Sequence, residues 1–186
     1  MKRGFKTQAE KKSIILRETL MLEAHEYLSS RKLAKHLNVN VISPANVKGL
    51  TTIEISKLLN FDVWSAVTLT YDESHIIILN NGHSPVRQES DLFHELAHIL
   101  CKHEMSGFIK VGEFLLRNYD QDQEDEAEWL GGCLHIPRKA LEWAFSNNIP
   151  PYQIANQYYA SESMLMYRIN KTGIKNQYRY YARDFL

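Results

Sequence analysis

Two histidines and a glutamate within residues 94–98 carry the clearest chemical signal in the chain. The five residues read His94-Glu95-Leu96-Ala97-His98. On a helix, His94 and His98 lie one turn apart on the same face, so their imidazoles can bind one zinc ion. Glu95 stands beside them, where a carboxylate can accept a proton from a water molecule that the metal activates. The spacing predicts a catalytic zinc site; the alternative is a surface helix that happens to carry two histidines.

A catalytic zinc ion needs a third protein ligand and leaves one position open for water. The pattern His-Glu-x-x-His-x-x-Gly-x-x-His would supply a third histidine at position 104. That position is Glu104 here, and the glycine position is Cys101. His103 is one residue short of the pattern, and we interpret it as a histidine favoured at a helix C-terminus. The third ligand is therefore expected from another segment.

An acidic cluster at the start of a later predicted helix supplies the candidates, and it reads Glu124-Asp125-Glu126-Ala127-Glu128. The helical period places Glu124 on or near the inward stripe and rotates Glu126 away by about 100°. We predict Glu124 as the metal ligand, and Glu128 as an acceptor that orients a ligand histidine. Glu126 and Glu128 stay open as alternative ligands. A solvated acidic helix start, favoured by the helix dipole, is the structural alternative.

The amino-acid composition favours a globular protein and argues against several other classes of protein. The 186 residues are 44% hydrophobic and 24% charged, which fits a globular protein with a substantial core. Lys plus Arg equals Asp plus Glu at 22 each, so no net field favours nucleic acid or an anionic membrane. No apolar run approaches the roughly 20 residues of a membrane span, and the basic start does not resemble a signal peptide. Cys101 and Cys133 suit a reducing cytoplasm, and we expect small apolar residues there rather than ligands.

Residue periodicity predicts one mainly helical α+β domain over 1–186, with a small antiparallel sheet beside the His-Glu-x-x-His helix. Alternating and β-branched residues around a polar turn predict an antiparallel hairpin over 63–80. Ser84-Pro85 is expected to start the helix that carries the motif. The other predicted elements are helices at 8–37 (one or two), 52–59, 122–135, 141–145 and 152–170, and a short strand at 38–42.

Both predicted metal segments resemble the ImmA/IrrE family of bacterial and phage metallopeptidases. The first segment, 94–100, reads HELAHIL, and the second, 124–137, reads EDEAEWLGGCLHIP. Family members carry a His-Glu-x-x-His helix followed by Glu-x-Glu-Ala-Asn-x-Phe-Ala-Ala-x-Leu-Leu-Met-Pro. Looser similarity at 3–6 and 33–41 extends the resemblance over most of the chain.

The chain departs from the family pattern at three places. The family asparagine is Glu128, Phe-Ala-Ala is Leu130-Gly131-Gly132, and Leu-Leu-Met is Leu134-His135-Ile136. Glutamate can still accept a hydrogen bond from a ligand histidine, so we expect the metal site to survive the first change. The glycines predict closer helix packing. His135 is either a group on the substrate side or an exposed residue at a helix end, and we favour the second interpretation.

The resemblance implies a zinc-dependent endopeptidase with zincin-like chemistry. In that chemistry His94, His98 and Glu124 hold Zn²⁺, and Glu95 accepts a proton from water and later passes it to the leaving amine. If one strand of the hairpin is an edge, it could bind substrate by strand addition; a fully paired hairpin is the alternative. The sequence does not choose among the candidates for a group that stabilises the oxyanion, which are Tyr119, Arg138, Tyr158 and Tyr159.

Family members cut or inactivate helix-turn-helix repressors of mobile elements and stress responses. The resemblance therefore implies a cytoplasmic regulatory protease whose protein substrate is a transcriptional repressor. One alternative is a zinc-containing antirepressor that acts by contact without proteolysis. Another is a DNA- or partner-binding module, because the segment 152–186 has a helix-turn-helix cadence and basic residues at Arg168, Lys171, Lys175, Arg179 and Arg183. We favour packing of that segment on the core, since no second basic stripe supports nucleic acid; the oligomeric state is not indicated.

Overall fold

A helical body and a small mixed sheet form the protein. The computed structural model describes residues 1–60, 64–71, 74–103, 108–111, 114–117 and 120–178. Its elements are α1 (Phe5–Thr19), α2 (Ser30–His36), β1 (Asn40–Ile42), α3 (Thr52–Asn60), β2 (Ala66–Tyr71), β3 (Ser74–Leu79), α4 (Pro85–Cys101), β4 (Phe108–Val111), β5 (Phe114–Arg117), α5 (Gln121–His135), α6 (Arg138–Ser146), α7 (Pro151–Gln157) and α8 (Glu162–Thr172). The predicted mainly helical α+β class is confirmed. Each helix within the described ranges falls short of the length and apolarity of a membrane span.

The sheet has the strand order β1-β3-β2. Strands β2 and β3 pair antiparallel, which confirms the predicted hairpin, and β1 pairs with β3 in parallel. Within this sheet β2 is an edge strand, and it packs beside α4. Val67 and Leu69 on β2 are exposed, whereas Thr68 between them is buried. A second antiparallel hairpin of β4 and β5, which periodicity did not predict, lies between α4 and α5 in the chain.

Helices α4 and α5 pack against each other at the centre of the molecule. The Ser84 hydroxyl caps α4, as its position before Pro85 predicts, and the Asp120 carboxylate caps α5. Gly131 brings the two helices together, because a Cβ atom there would lie only 3.3 Å from the backbone N and Cα of His94. The close packing predicted from the glycines is confirmed. It places the His-Glu-x-x-His turn beside the acidic start of α5.

Two hydrophobic clusters fill the interior. The first joins α1, α2, the sheet, α4 and α5, and the second joins α6, α7 and α8 to the end of α5. Helices α7 and α8 bury Ile154, Leu165 and Ile169 in the second cluster. The C-terminal helical pair is thus packed on the rest of the chain through its apolar side.

Two fully buried arginines connect these clusters. Arg17 of α1 donates a hydrogen bond to the Leu134 carbonyl at 2.7 Å. Arg168 of α8 donates to the Ile136 carbonyl at 2.8 Å and forms an ion pair with Glu10 of α1. The DNA- or partner-binding alternative, in which Arg168 adds positive charge, is not supported at this residue. The Arg168 guanidinium is buried, where it donates to the Ile136 carbonyl and pairs with the Glu10 carboxylate. Arg179 and Arg183, invoked for the same role, lie outside the described residues.

Candidate metal centre

Three side chains converge where α4 faces the start of α5. Nε2 of His94 lies 3.1 Å from Nε2 of His98 and 3.2 Å from Oε2 of Glu124. Nε2 of His98 lies 3.5 Å from Oε1 of Glu124. His98 is buried, and the other two side chains are partly buried. Within the described part of the chain, these are the residues grouped closely enough to share a metal ion.

The dimensions of this triangle fit a zinc ion. Bonds of about 2.0–2.2 Å in a tetrahedral site put neighbouring ligand atoms about 3.3–3.6 Å apart. The observed separations of 3.1, 3.2 and 3.5 Å are close to that range. Two imidazoles and one carboxylate also form a donor set that catalytic zinc uses, with one position left for water or substrate.

The charges of the cluster suit cation binding. Burial opposes protonation of His94, but the hydrogen bond with Glu124 and the nearby Glu95 carboxylate raise the pKa of His94 overall. Hydrogen bonds from His94 and His98 lower the pKa of Glu124 far below its usual range, although burial acts in the opposite direction. The Glu124 carboxylate is thus ionised near neutral pH, which is the form that binds a metal.

Glu95 turns from α4 toward the sheet. Its side chain is buried, and the Thr68 hydroxyl of β2 donates a hydrogen bond to its Oε2 atom. The edge strand therefore fixes the orientation of this carboxylate. Sequence analysis missed Thr68; the available signal was a polar residue at the middle of a strand, between Val67 and Leu69.

His103 and Glu126 support His98 from behind. Nε2 of His103 lies 3.3 Å from Oε2 of Glu126, so it carries the proton and donates. Nδ1 of His103 can then accept from Nδ1 of His98, which lies 2.9 Å away. This chain of hydrogen bonds engages Nδ1 of His98, so Nε2 is the nitrogen that faces His94 and Glu124 and is placed to bind a metal. The amide of Lys2 donates to the other oxygen of Glu126 at 3.0 Å.

The supporting acid is Glu126, and the prediction that Glu128 orients a ligand histidine is wrong. Glu128 is exposed and its side chain lies near Tyr167 of α8. Glu126, expected to be rotated away, is buried, because α5 packs against α1 as well as against α4. A helix covered on two sides has no single inward stripe. His103, interpreted as an ordinary helix-terminal histidine, also belongs to the support.

His135 is fully buried, so its interpretation as an exposed helix-terminal residue is wrong. Its Nε2 donates a hydrogen bond to the Tyr158 carbonyl at 2.8 Å, and Nδ1 lies 3.3 Å from the Ser90 hydroxyl. The ring also packs on Phe93, with centroids 5.1 Å apart. The helices that follow α5 cover its C-terminal end and enclose this imidazole.

The described candidates for oxyanion stabilisation have other contacts. Arg138 binds Glu142 at 3.0 Å and the Thr172 carbonyl. The Tyr158 hydroxyl donates to the His25 carbonyl, and the Tyr159 ring packs against Tyr27. These contacts give no support to an oxyanion role. Tyr119, the fourth candidate, lies outside the described residues.

The two cysteines are free thiols and are not among the residues that converge on the site. Cys133 is buried and Cys101 is partly buried. Burial raises the pKa of the Cys101 thiol to about 11 and that of the Cys133 thiol to about 12. Both side chains are therefore thiols rather than thiolates near neutral pH, which fits a packing role.

Comparison with known proteins adds a family to this geometry. No curated protein and no solved structure shows significant similarity to the chain. The family model described as the IrrE N-terminal-like domain, Peptidase_M78, matches residues 46–170. That range covers more than half of the chain and includes both histidines of the motif, Glu95 and Glu124. The chain therefore belongs to the IrrE N-terminal-like peptidase family, as the resemblance in its two metal segments predicts.

Proposed function

We propose that this protein is a zinc-dependent endopeptidase in which His94, His98 and Glu124 hold the metal. The observation that supports the proposal best is the triangle of their donor atoms, with sides of 3.1 to 3.5 Å. The adjacent Glu95 side chain and the membership of a peptidase family support it independently.

The chain's own residues suit peptide hydrolysis. When bound, zinc supplies Lewis-acid chemistry, lowering the pKa of a coordinated water to about 7 and polarising a carbonyl. Glu95 is the general base: it accepts a proton from the attacking water and passes it to the leaving amine. Thr68 holds the Glu95 carboxylate in one orientation through its hydroxyl. A zinc-stabilised scaffold that acts only by contact would have no use for such a positioned base.

We propose that the substrate backbone pairs with β2 as an added strand. In the described sheet β2 has β3 on one side only, so the second edge is available for main-chain hydrogen bonds. The hydrogen bond from Thr68 to Glu95 ties this strand to the motif helix. A peptide paired with β2 would therefore run past the general base.

The specific target follows from the family resemblance alone. We propose a transcriptional repressor of the helix-turn-helix type as the protein substrate, cleaved in the cytoplasm, where the two free thiols would stay reduced. The DNA-binding alternative loses one of its basic residues, because Arg168 is buried in an ion pair with Glu10.

The test uses the full chain, its Glu95→Gln variant and an exposed control, Glu18→Gln. Zinc content is measured by elemental analysis, and cleavage is followed on the repressor encoded by the neighbouring gene and on a proteome-derived peptide library. We expect about one zinc per chain in all three proteins, chelator-sensitive cleavage by wild type and control, and a loss of at least about 100-fold in Glu95→Gln. Repressor binding by the zinc-loaded wild type without any cleavage would favour the contact-acting antirepressor.

A further inference from the structure

A cavity of about 480 Å³ opens between α4, α5 and the first turns of α8. Its walls include Val86, Arg87 and Ser90 from α4, Glu128 from α5, and Met164 and Tyr167 from α8. None of these residues belongs to the candidate metal centre, and the proposed function assigns them no role.

The cavity lies one helical turn away from metal-centre residues on both α4 and α5. Ser90 precedes His94 by one helical turn, and Glu128 follows Glu124 by one turn. A rise of 1.5 Å per residue makes each step about 6 Å along its helix. Because successive residues of an extended peptide are about 3.3 Å apart, a side chain next to the scissile bond can reach this cavity.

The lining combines apolar surface with four serines, one arginine and one acid. Val86, Met164 and the Tyr167 ring supply apolar surface. The Glu128 carboxylate lies near the Tyr167 side chain, and no lysine or arginine among the described residues forms an ion pair with it. Arg87, the cation of this cavity, already lies 3.8 Å from the Asp91 carboxylate and donates to the Ser65 hydroxyl at 3.2 Å.

We propose that this cavity is a specificity pocket for a lysine or arginine side chain adjacent to the scissile bond, with Glu128 binding its charged end. The proposal rests on the proposed endopeptidase function. The methylene stem of such a side chain would lie along Val86 and Met164, as long basic side chains do on apolar surface. The family pattern has asparagine at this position, and an asparagine side chain is neutral. Glu128 instead carries a carboxylate, whose negative charge selects a cation.

The experiment measures binding without turnover. The probes are peptide hydroxamates that share one backbone and differ at a single residue, which is arginine, norleucine or glutamate. In one series that residue precedes the zinc-binding hydroxamate, and in the other it follows the hydroxamate. Calorimetry gives their affinities for zinc-loaded wild type, Glu128→Gln, Glu128→Lys and the exposed control Glu18→Gln. Glu128 is exposed on α5, so we expect the variants to fold.

In one series we expect wild type and control to bind arginine about fivefold more tightly than norleucine, the upper range for a partly solvated ion pair. Glu128→Gln should bring this ratio close to one, and Glu128→Lys should make glutamate the preferred residue. An arginine preference that is absent from wild type, or that Glu128→Gln leaves unchanged, overturns the pocket.

The two proposals fail separately in this design. Binding that depends on Glu128, with no cleavage of repressor or peptide library, would refute the peptidase and keep the pocket. Cleavage by wild type with no dependence on Glu128 would refute the pocket and keep the peptidase.

Discussion

At the scale of single residues, two side chains of the candidate centre are each held by a partner outside the donor triangle. His98 is held through His103 and Glu126, and Glu95 is held by Thr68. A ligand whose tautomer and orientation are set before the metal arrives loses less conformational freedom on binding. The donor triangle therefore depends on supporting residues as well as on the three ligands.

This arrangement predicts a graded effect for the three glutamates of the acidic cluster. Glu124→Ala removes a ligand, so we expect bound zinc to fall well below one per chain. Glu126→Ala removes the acceptor that orients His103, so we expect zinc affinity to fall about tenfold while full occupancy is reached at high zinc. Glu128→Ala, whose side chain faces Tyr167, should leave zinc affinity unchanged.

Competition against a chromophoric chelator at fixed pH measures all three affinities. Full occupancy in Glu124→Ala, together with loss in Glu126→Ala, would show that Glu126 is the ligand. An equal and small effect in all three variants would mean that the cluster is a solvated helix start.

At the scale of elements, the contact between α4 and α5 creates the site. Neither helix alone carries three ligands, and Gly131 sets the distance between them. An added Cβ atom at Gly131 would lie 3.3 Å from the backbone N and Cα of His94 and from the Phe93 carbonyl oxygen. All three neighbours are main-chain atoms, which cannot rotate away as a side chain can.

Gly131→Ala is therefore expected to move α5 outward by a few tenths of an ångström. Alanine favours the helix by about 1 kcal/mol over glycine, but overpacking costs about 1–3 kcal/mol, so the free energy of unfolding should fall slightly. Because Glu124 moves with α5, zinc affinity should fall more clearly, by about tenfold. Chemical denaturation and chelator competition measure the two effects, and Gln121→Ala, exposed on the same helix, is the control. Unchanged zinc affinity would show that the helix spacing is not critical.

Periodicity predicts these elements well and their exposure less well. The motif helix, the α5 helix and the hairpin follow from caps, apolar spacing and β-branched runs, which are local signals. Glu126 was misplaced because α5 is covered by α1 as well as by α4. Thr68 was missed because alternation along β2 favours Val67 and Leu69 on the buried face of the strand. In the structure Thr68 lies on that face instead, where its hydroxyl donates to the Glu95 carboxylate. Both errors concern contacts between distant segments, which local patterns do not encode.

At the scale of the whole molecule, buried polar groups join the two hydrophobic clusters. Arg17 and Arg168 reach across from α1 and α8 to the carbonyls at the end of α5, and His135 links Phe93 in the first cluster to the Tyr158 carbonyl in the second. In the sequence these residues are typical surface residues. Their burial follows from the way α6, α7 and α8 fold back over α5, so it could not be predicted from residue type.

The burial of His135 predicts that the stability of the molecule depends on pH. Burial lowers its pKa below the ordinary value of 6.5, although the hydrogen bond to the Tyr158 carbonyl acts in the opposite direction. Between the folded pKa and 6.5, the unfolded chain binds a proton that the folded chain does not bind. The contribution of His135 to the free energy of unfolding is therefore complete above pH 6.5 and decreases as the pH falls below it.

Comparison of wild type with His135→Gln isolates this contribution, because Gln can donate to Tyr158 but does not titrate. Urea denaturation of the metal-free proteins at pH 7.5 and 5.5 gives the free energies of unfolding. Between these values we expect wild type to lose up to about 1.4 kcal/mol more than His135→Gln, the limit for one proton over one pH unit. His36→Gln, at an exposed position on α2, should lose as much as wild type. If His135→Gln also loses as much as wild type, the His135 imidazole binds its proton equally well in the folded and unfolded chains, and its burial does not control the acid stability of the protein.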